Sequence, residues 1–454
     1  MNSRGLLRPS PEELQKGLVD QLKYIRLFQQ IALCSVDNYS STLQYSNAPT
    51  TRGNTFALAF MRDSNGRSEI TLYITTEQNV SNFTIETKLH GLTGFNETSP
   101  DSGLFSRIGT ARRGEFTFIQ LQAAANISGL PDLSVQSNGN NDTSDRQKGL
   151  ILTADNQSDE LTVYALSSTR SSTGTFMAIN CVEFPTARDY QYFIFSLYYI
   201  GSDSGSQFLM TPCQDNTTIH VRPSQPYTHP SWVNPSVQRT TPGTSQEEAI
   251  YGRRFNRFDT LLLINDGDLT GTIITSDKPL SVFSGISDTT DYCVEQIPSH
   301  PTYGDLFFLL SIEPFGGSMF RIGSISDEAF IQVNCPCRPG SVSNNRVPLS
   351  GSGALFTAVI NRGQYVECFF FTTTFCSVQS TRPVTAMSYH SRLGYSMVYT
   401  PPVDSYLTRY SLTSLSGNDP VSLSYTLQDL NSPGLLVNGD VLTPSDGFTN
   451  INCR

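Results

Sequence analysis

The residues scarce enough to mark chemistry are five histidines and nine cysteines. His90, His220, His229, His300 and His390 stand apart with no ligand spacing, and no two cysteines form a Cys-x-x-Cys pair. Neither a metal site nor a cofactor is therefore expected. Structural disulfides fit the cysteines better, as in oxidising compartments. The candidates are Cys181, Cys213, Cys293, Cys335, Cys337, Cys368 and Cys376. Cys368 and Cys376 are near enough in sequence to staple one hairpin. Cys335 and Cys337, separated only by Pro336, each need a different partner, and Cys213 can serve Cys181 or Cys293. Cys34 is a further cysteine, and Cys453 is the one expected to pair beyond Arg454 or with another chain.

No catalytic residue emerges. The chain has no Gly-x-Ser-x-Gly, His-Glu-x-x-His, P-loop or dinucleotide-binding glycine run. Gly201-Ser-Asp-Ser-Gly205 is similar to a protease nucleophile loop but departs from it on both sides of Ser204, and reads as an inter-strand loop. Glu183 and Glu295 recur after equivalent cysteines, as paired glycosidase carboxylates would. Beside a repeated proline they read better as loop-closing hydrogen-bond acceptors. Asn265-Asp-Gly-Asp268 is rich in oxygen yet lacks the twelve-residue calcium loop and its terminal Glu.

Asn-x-Ser/Thr occurs at Asn38, Asn79, Asn82, Asn96, Asn126, Asn141, Asn156 and Asn216, which are candidate glycosylation sites on exposed surface. Residues 222–252 form a long insertion rich in Pro, Ser, Thr and Tyr, with Tyr227 and the chain's single tryptophan, Trp232, as candidate partner-binding side chains.

The elements that carry these residues are short. Charged residues are only 15% of the 454, and net charge is −10, so no basic footprint for nucleic acid is present. No apolar run reaches transmembrane length, and the first ten residues hold no signal-peptide core. An extracellular chain is nevertheless expected from the sequons and cysteines, one truncated or mis-started at its beginning, or part of a larger protein. Residues 10–32 read as a helix, with a Ser10-Pro-Glu-Glu start and a stripe of Leu14, Leu18, Leu22, Ile25 and Ile31. After residue 50, runs rich in Val, Ile, Thr, Phe and Tyr alternate with Gly, Asn, Asp, Ser and Pro, which is all-β patterning.

The runs repeat. Residues 150–165, Gly271–Gly285 and Cys376–Ser388 each read as a strand, a tight polar turn and a returning strand, and Pro279 and Pro383 are 104 residues apart. Cys181-Val-Glu-Phe-Pro185 and Cys293-Val-Glu-Gln-Ile-Pro298 recur with their cysteines 112 apart. Duplicated units of about 105–120 residues follow. The expected architecture is a tandem array of antiparallel β-sandwich-like repeats behind a short N-terminal helix, with a β-propeller as alternative. The expected divisions are 1–50 helix and linker, 51–185, 186–300 and 301–394 as β repeats, and 395–454 as a partial fourth.

Asp268-Leu-Thr-Gly-Thr-Ile-Ile-Thr-Ser-Asp-Lys-Pro-Leu-Ser-Val-Phe-Ser-Gly285, followed by Cys293-Val-Glu-Gln-Ile-Pro298 and Tyr303-Gly-Asp-Leu-Phe-Phe308, resembles the N-terminal region of the IgG Fc-binding protein family. The strand pair within residues 207–221 resembles it too. The chain departs from that family in having no von Willebrand-type or mucin-type cysteine array. The resemblance implies an extracellular, mucus- or matrix-associated adhesive module with a protein or glycoprotein ligand, and does not itself carry the immunoglobulin ligand over. A structural matrix scaffold and a secreted carbohydrate-active enzyme are the competing readings.

Overall fold

The computed structural model describes residues 51–405 except 62–67, 91, 93, 100–102, 123–132, 136–146, 169–172, 185–188, 198–205, 225–250, 266, 288–291, 311–317, 342, 344, 371–374 and 392–394. Outside that span it describes 32–33, 426–427, 436–437 and 440–441. Among the described residues there is no α-helix, and none is long and apolar enough to cross a membrane. Of the helix expected over 10–32, residues 10–31 lie outside them, and its last residue is strand instead, Ala32–Leu33 pairing in parallel with Thr426–Leu427.

Three units follow one another with one topology. Unit one holds β1 (Thr55–Leu58), β2 (Glu69–Thr76), β3 (Val80–Thr87), β4 (Leu104–Arg112), β5 (Thr117–Gln122), β6 (Leu150–Ala154), β7 (Leu161–Ser168) and β8 (Thr173–Met177). Its first sheet runs β1-β6-β3-β4 and its second β8-β7-β2-β5. Unit two repeats this with β9 (Tyr190–Phe193), β10 (Ser206–Pro212), β11 (Thr217–Arg222), β12 (Tyr251–Phe255), β13 (Leu261–Asn265), β14 (Ile273–Ser276), β15 (Leu280–Ser287) and β16 (Tyr292–Ile297). The orders are β9-β14-β11-β12 and β16-β15-β10-β13. Unit three has β17 (Gly304–Leu310), β18 (Ser318–Gly323), β19 (Ala329–Asn334), β20 (Leu355–Ile360), β21 (Tyr365–Phe370), β22 (Phe375–Ser391) and β23 (Tyr395–Thr400). Here the 17-residue β22 serves both sheets, as β17-β22-β19-β20 and β23-β22-β18-β21. Tyr395–Thr400 thus completes unit three. Within each unit the strands divide between facing sheets as in a sandwich, and the small sheets follow one another in a ring resembling a four-bladed propeller.

The repeated proline segment is not a hairpin. β14 pairs in the first sheet and β15 in the second, so the turn at 277–279 is a corner between sheets. In unit three the same corner is a bend in β22. Ser380 still pairs with β19, and by Thr385 the chain pairs with β18. Pro383 sits in that switch, where a missing N–H costs no ladder bond. Alternation then faces Ile274 and Val282 into one core and Val378 and Ala386 into the next.

The second sheet of a unit is the wall shared with its predecessor. Leu209, Leu262, Phe283 and Val294, on the outer face of unit two's second sheet, belong to unit one's core, with the Phe283 ring 4.8 Å from that of Phe176. Tyr365, Met387, Tyr389 and Met397 of unit three likewise enter unit two's core. Cross-strand registers make Leu209 and Arg321 equivalent, and likewise Phe283 and Met387, Leu262 and Glu367, and Val294 and Met397.

Candidate functional surface

The segment that carries the family resemblance builds the junction between units two and three. Arg321 projects from β18 into unit two and is buried. Its Nη1 lies 2.8 Å from Asp268 Oδ2, 2.7 Å from Thr270 Oγ1 and 2.6 Å from the Ser196 carbonyl oxygen. Its Nε donates to Glu367 Oε2 at 2.8 Å, and its guanidinium stacks over Tyr365 and Tyr389 at 5.1 and 5.3 Å. Arg346 pairs with the second oxygen of Glu367. Burial works against the Arg321 charge, but Asp268, the two tyrosines and Glu367 outweigh it, and its pKa stands well above the ordinary value. Gly271 is required here: φ is +95°, and a Cβ would come 2.4 Å from the Gly363 carbonyl oxygen of unit three. Asp268 is therefore engaged by Thr270 and Arg321, the reverse of an open calcium loop.

Glu295 and Gln296 act at the junctions as well. Gln296 accepts from the Ile179 backbone N–H at 2.9 Å, reaching back to the chain leaving unit one. Glu295 accepts from the Gln296 N–H at 2.9 Å and from the Tyr399 N–H of unit three at 3.4 Å, and burial pushes its carboxyl up to about 8. Glu183 is exposed and accepts from Gln214. One carboxylate is thus locked in a junction and the other faces solvent. Among the described residues no group of His, Cys, Asp and Glu could hold a metal ion.

The cysteines pair across elements. Cys181 joins Cys213, clamping the end of β10 beside Ala57 and Ile151 on unit one's first sheet. Cys335 joins Cys376 and Cys337 joins Cys368. The expected Cys368–Cys376 staple is replaced because the two lie in different sheets, and the Cys-Pro-Cys run reaches one cysteine in each. Cys293 is buried on β16. Cys34 and Cys453 lie outside the described residues, as do Asn38, Asn126, Asn141, Tyr227 and Trp232. Asn79, Asn82, Asn96, Asn156 and Asn216 are all exposed.

A further surface had no sequence signal beyond alternation. On the outer face of unit three's first sheet, Phe330 pairs across strands with Val359, Gln332 with Thr357 and Gln379, and Asn334 with Leu355 and Ser377. Phe330, Leu355 and Val359 are 39%, 49% and 53% exposed. The face carries no charge, and its amides bond along it, Gln332 Nε2 to Asn334 Oδ1 at 3.1 Å and Asn334 Nδ2 to Ser377 Oγ at 3.2 Å.

The family model for IgGFc binding protein matches residues 185–452, more than half of the chain. The chain belongs to the IgGFc-binding protein family. The match begins at the entry to unit two, so the Asp268–Gly285 segment, the Arg321 junction and the uncharged face of unit three all lie inside the family region. No curated protein matches the chain.

Proposed function

We propose that this chain is an extracellular, non-enzymatic binding module that engages a protein or glycoprotein ligand through the uncharged outer face of unit three. Membership of a family named for binding a protein carries the reading. Three disulfides suit an oxidising compartment, and five exposed sequon asparagines suit the same setting. Exposed Phe330, Leu355 and Val359 among amides and hydroxyls are the composition of a wet, sequence-adaptable interface that disfavours charged partners. The glycosidase reading asks Glu183 and Glu295 to converge, whereas Glu295 is spent on two backbone N–H groups. The matrix-scaffold reading differs in needing no ligand face.

The test is binding of the secreted chain to immobilised IgG Fc, the ligand of the family's name, and to extracellular glycoproteins from its own tissue. Phe330→Asp and Val359→Lys should weaken the captured ligand about tenfold or more, about 1.4 kcal/mol. Binding indifferent to both substitutions sinks the assignment of the face. Release of sugar from a glycan substrate sinks the non-enzymatic reading.

A further inference from the structure

The turn between β20 and β21 in unit three copies, bond for bond, the turn between β12 and β13 in unit two. In unit two the Asn216 N–H donates to Asn256 Oδ1 at 3.0 Å, the Asn256 N–H to Asp259 Oδ2 at 2.8 Å, and the Arg257 N–H to Asp215 Oδ1 at 2.9 Å. In unit three the Glu328 N–H donates to Asn361 Oδ1 at 3.0 Å, the Asn361 N–H to Gln364 Oε1 at 2.9 Å, and the Arg362 N–H to Asp327 Oδ1 at 3.1 Å. Phe258 and Gly363 hold the same left-handed place, with φ of 73° and 80°.

The two arginine side chains then part. Arg257 Nε lies 3.4 Å from Asp215 Oδ2, and its guanidinium sits over the Phe258 ring at 5.6 Å. Arg362 has no such ring, because Gly363 stands where unit two has Phe258, and a Cβ there would come 3.2 Å from the Gly271 carbonyl oxygen. Asp327 takes the Arg362 backbone N–H, but among the described residues the Arg362 guanidinium has no ion pair.

The charge that Arg362 meets is a second arginine. Arg222 ends β11, where it pairs with Ile273. Two residues on, the Ser224 N–H donates to Thr272 Oγ1 at 3.1 Å, and the Ser224 carbonyl accepts from Asn345 Nδ2 of unit three at 2.7 Å. The Asn345 carbonyl in turn accepts from the Tyr365 N–H at 2.9 Å. Arg222 and Arg362 thus flank one backbone contact from opposite units, and both are half-buried. Burial lowers the Arg362 pKa, the Arg222 charge lowers it further, and Asp327 opposes them. His300 begins the short turn His300–Thr302 that links the units, and burial and then the Arg362 charge hold its pKa down as well. The junction's other carboxylates are engaged: Asp268 by Arg321, Glu367 by Arg321 and Arg346, and Glu295 by backbone N–H groups. Like charges held together out of bulk water repel, and two guanidinium forks are the group that oxyanions pair with best.

We propose that Arg222 and Arg362, with His300 beside them, form a binding site for a single oxyanion, a carboxylate or sulfate group, at the junction of units two and three. The site uses none of the side chains of unit three's uncharged face, so the failure of either reading leaves the other standing. The test follows the unfolding midpoint of the full secreted chain as chloride is exchanged for sulfate and, separately, for acetate at constant ionic strength. At least one of the two should raise the midpoint saturably, and Arg222→Gln and Arg362→Gln should each weaken that response about tenfold or more in apparent affinity. Arg257→Gln, at the turn whose arginine already holds Asp215, should leave the response unchanged. In chloride, Arg222→Gln should not lower the midpoint, because it removes a repulsion. No response to either anion, a response kept in either junction variant, or an equal loss in Arg257→Gln overturns the proposal. A lower midpoint for Arg222→Gln in chloride also overturns it, by revealing a partner within the chain.

Discussion

At the junction of units one and two, Leu209, Leu262, Phe283 and Val294 meet the preceding core as an apolar patch. At the junction of units two and three, the same sheet positions hold Arg321, Glu367, Met387 and Met397, and the arginine bridges Asp268 to Glu367. An apolar patch gains free energy with little regard to angle, so many small rotations of one unit on the other satisfy it. A buried guanidinium with carboxylates, a hydroxyl and a carbonyl around it is satisfied in one arrangement only, and desolvation takes back much of what the charges gain. The second junction therefore fixes geometry more than it adds stability, and it lies within the family-matched region.

The substitution with the largest expected effect breaks the ionic junction on one side. Arg321→Met takes one of its two arginines from buried Glu367 and the arginine from Asp268, and should cost about 3–5 kcal/mol in denaturant unfolding. A loss below about 1 kcal/mol would mean the cluster is solvated. Next, Leu209→Ala opens the apolar junction and should cost about 2–5 kcal/mol. If it costs nothing measurable, units one and two do not share a core.

Writing the apolar junction into the ionic one sharpens the contrast. Arg321→Leu with Glu367→Leu should be less destabilising than Arg321→Met alone, with a coupling of about 0.5–3 kcal/mol in the double-mutant cycle. Additive losses would contradict the view that the two charges are tolerated only together.

The last effect is one of pH. Burial holds the Glu295 carboxyl at about 8 in the folded chain against 4.5 for the free group. Between those values the folded state keeps a proton the unfolded state has released, so this residue's contribution falls as pH rises through the window and levels off above it. Glu295→Gln should flatten that part of the stability profile, and an unchanged slope would assign it to another group.

The strands were readable because alternation of apolar and polar residues is dictated by which side faces a core, and the repeat was readable from Pro279 and Pro383. The corner was not. A hairpin and a switch between sheets use the same polar turn residues, and only partners distant in sequence separate them, as Tyr192 with Ile274 and Met210 with Val282 do. Nearness in sequence misdirected the Cys368–Cys376 pairing for the same reason. The Arg321 junction had one faint mark, a lone charge in the apolar strand Ser318–Gly323 where the repeat two counterpart is Leu209. The uncharged face of unit three was hidden because exposed Phe330 and Val359 look like core residues until their sheet is known.

The interlocked cysteines of unit three also bear on how the chain carries load. Cys335 and Cys376 are 41 residues apart, and the 31-residue Cys337–Cys368 separation nests inside that loop. Tension drawn along the chain would pass from the end of β19 straight into β22 through sulfur, and β20 and β21 would bear none of it. At about 3.4 Å per residue, close to 140 Å of contour stays hidden from a pulling force until both disulfides are reduced. A reductant would then release slack as well as loosen the fold, making the thiol balance of the surroundings a control on how far a tethered molecule stretches before it lets go.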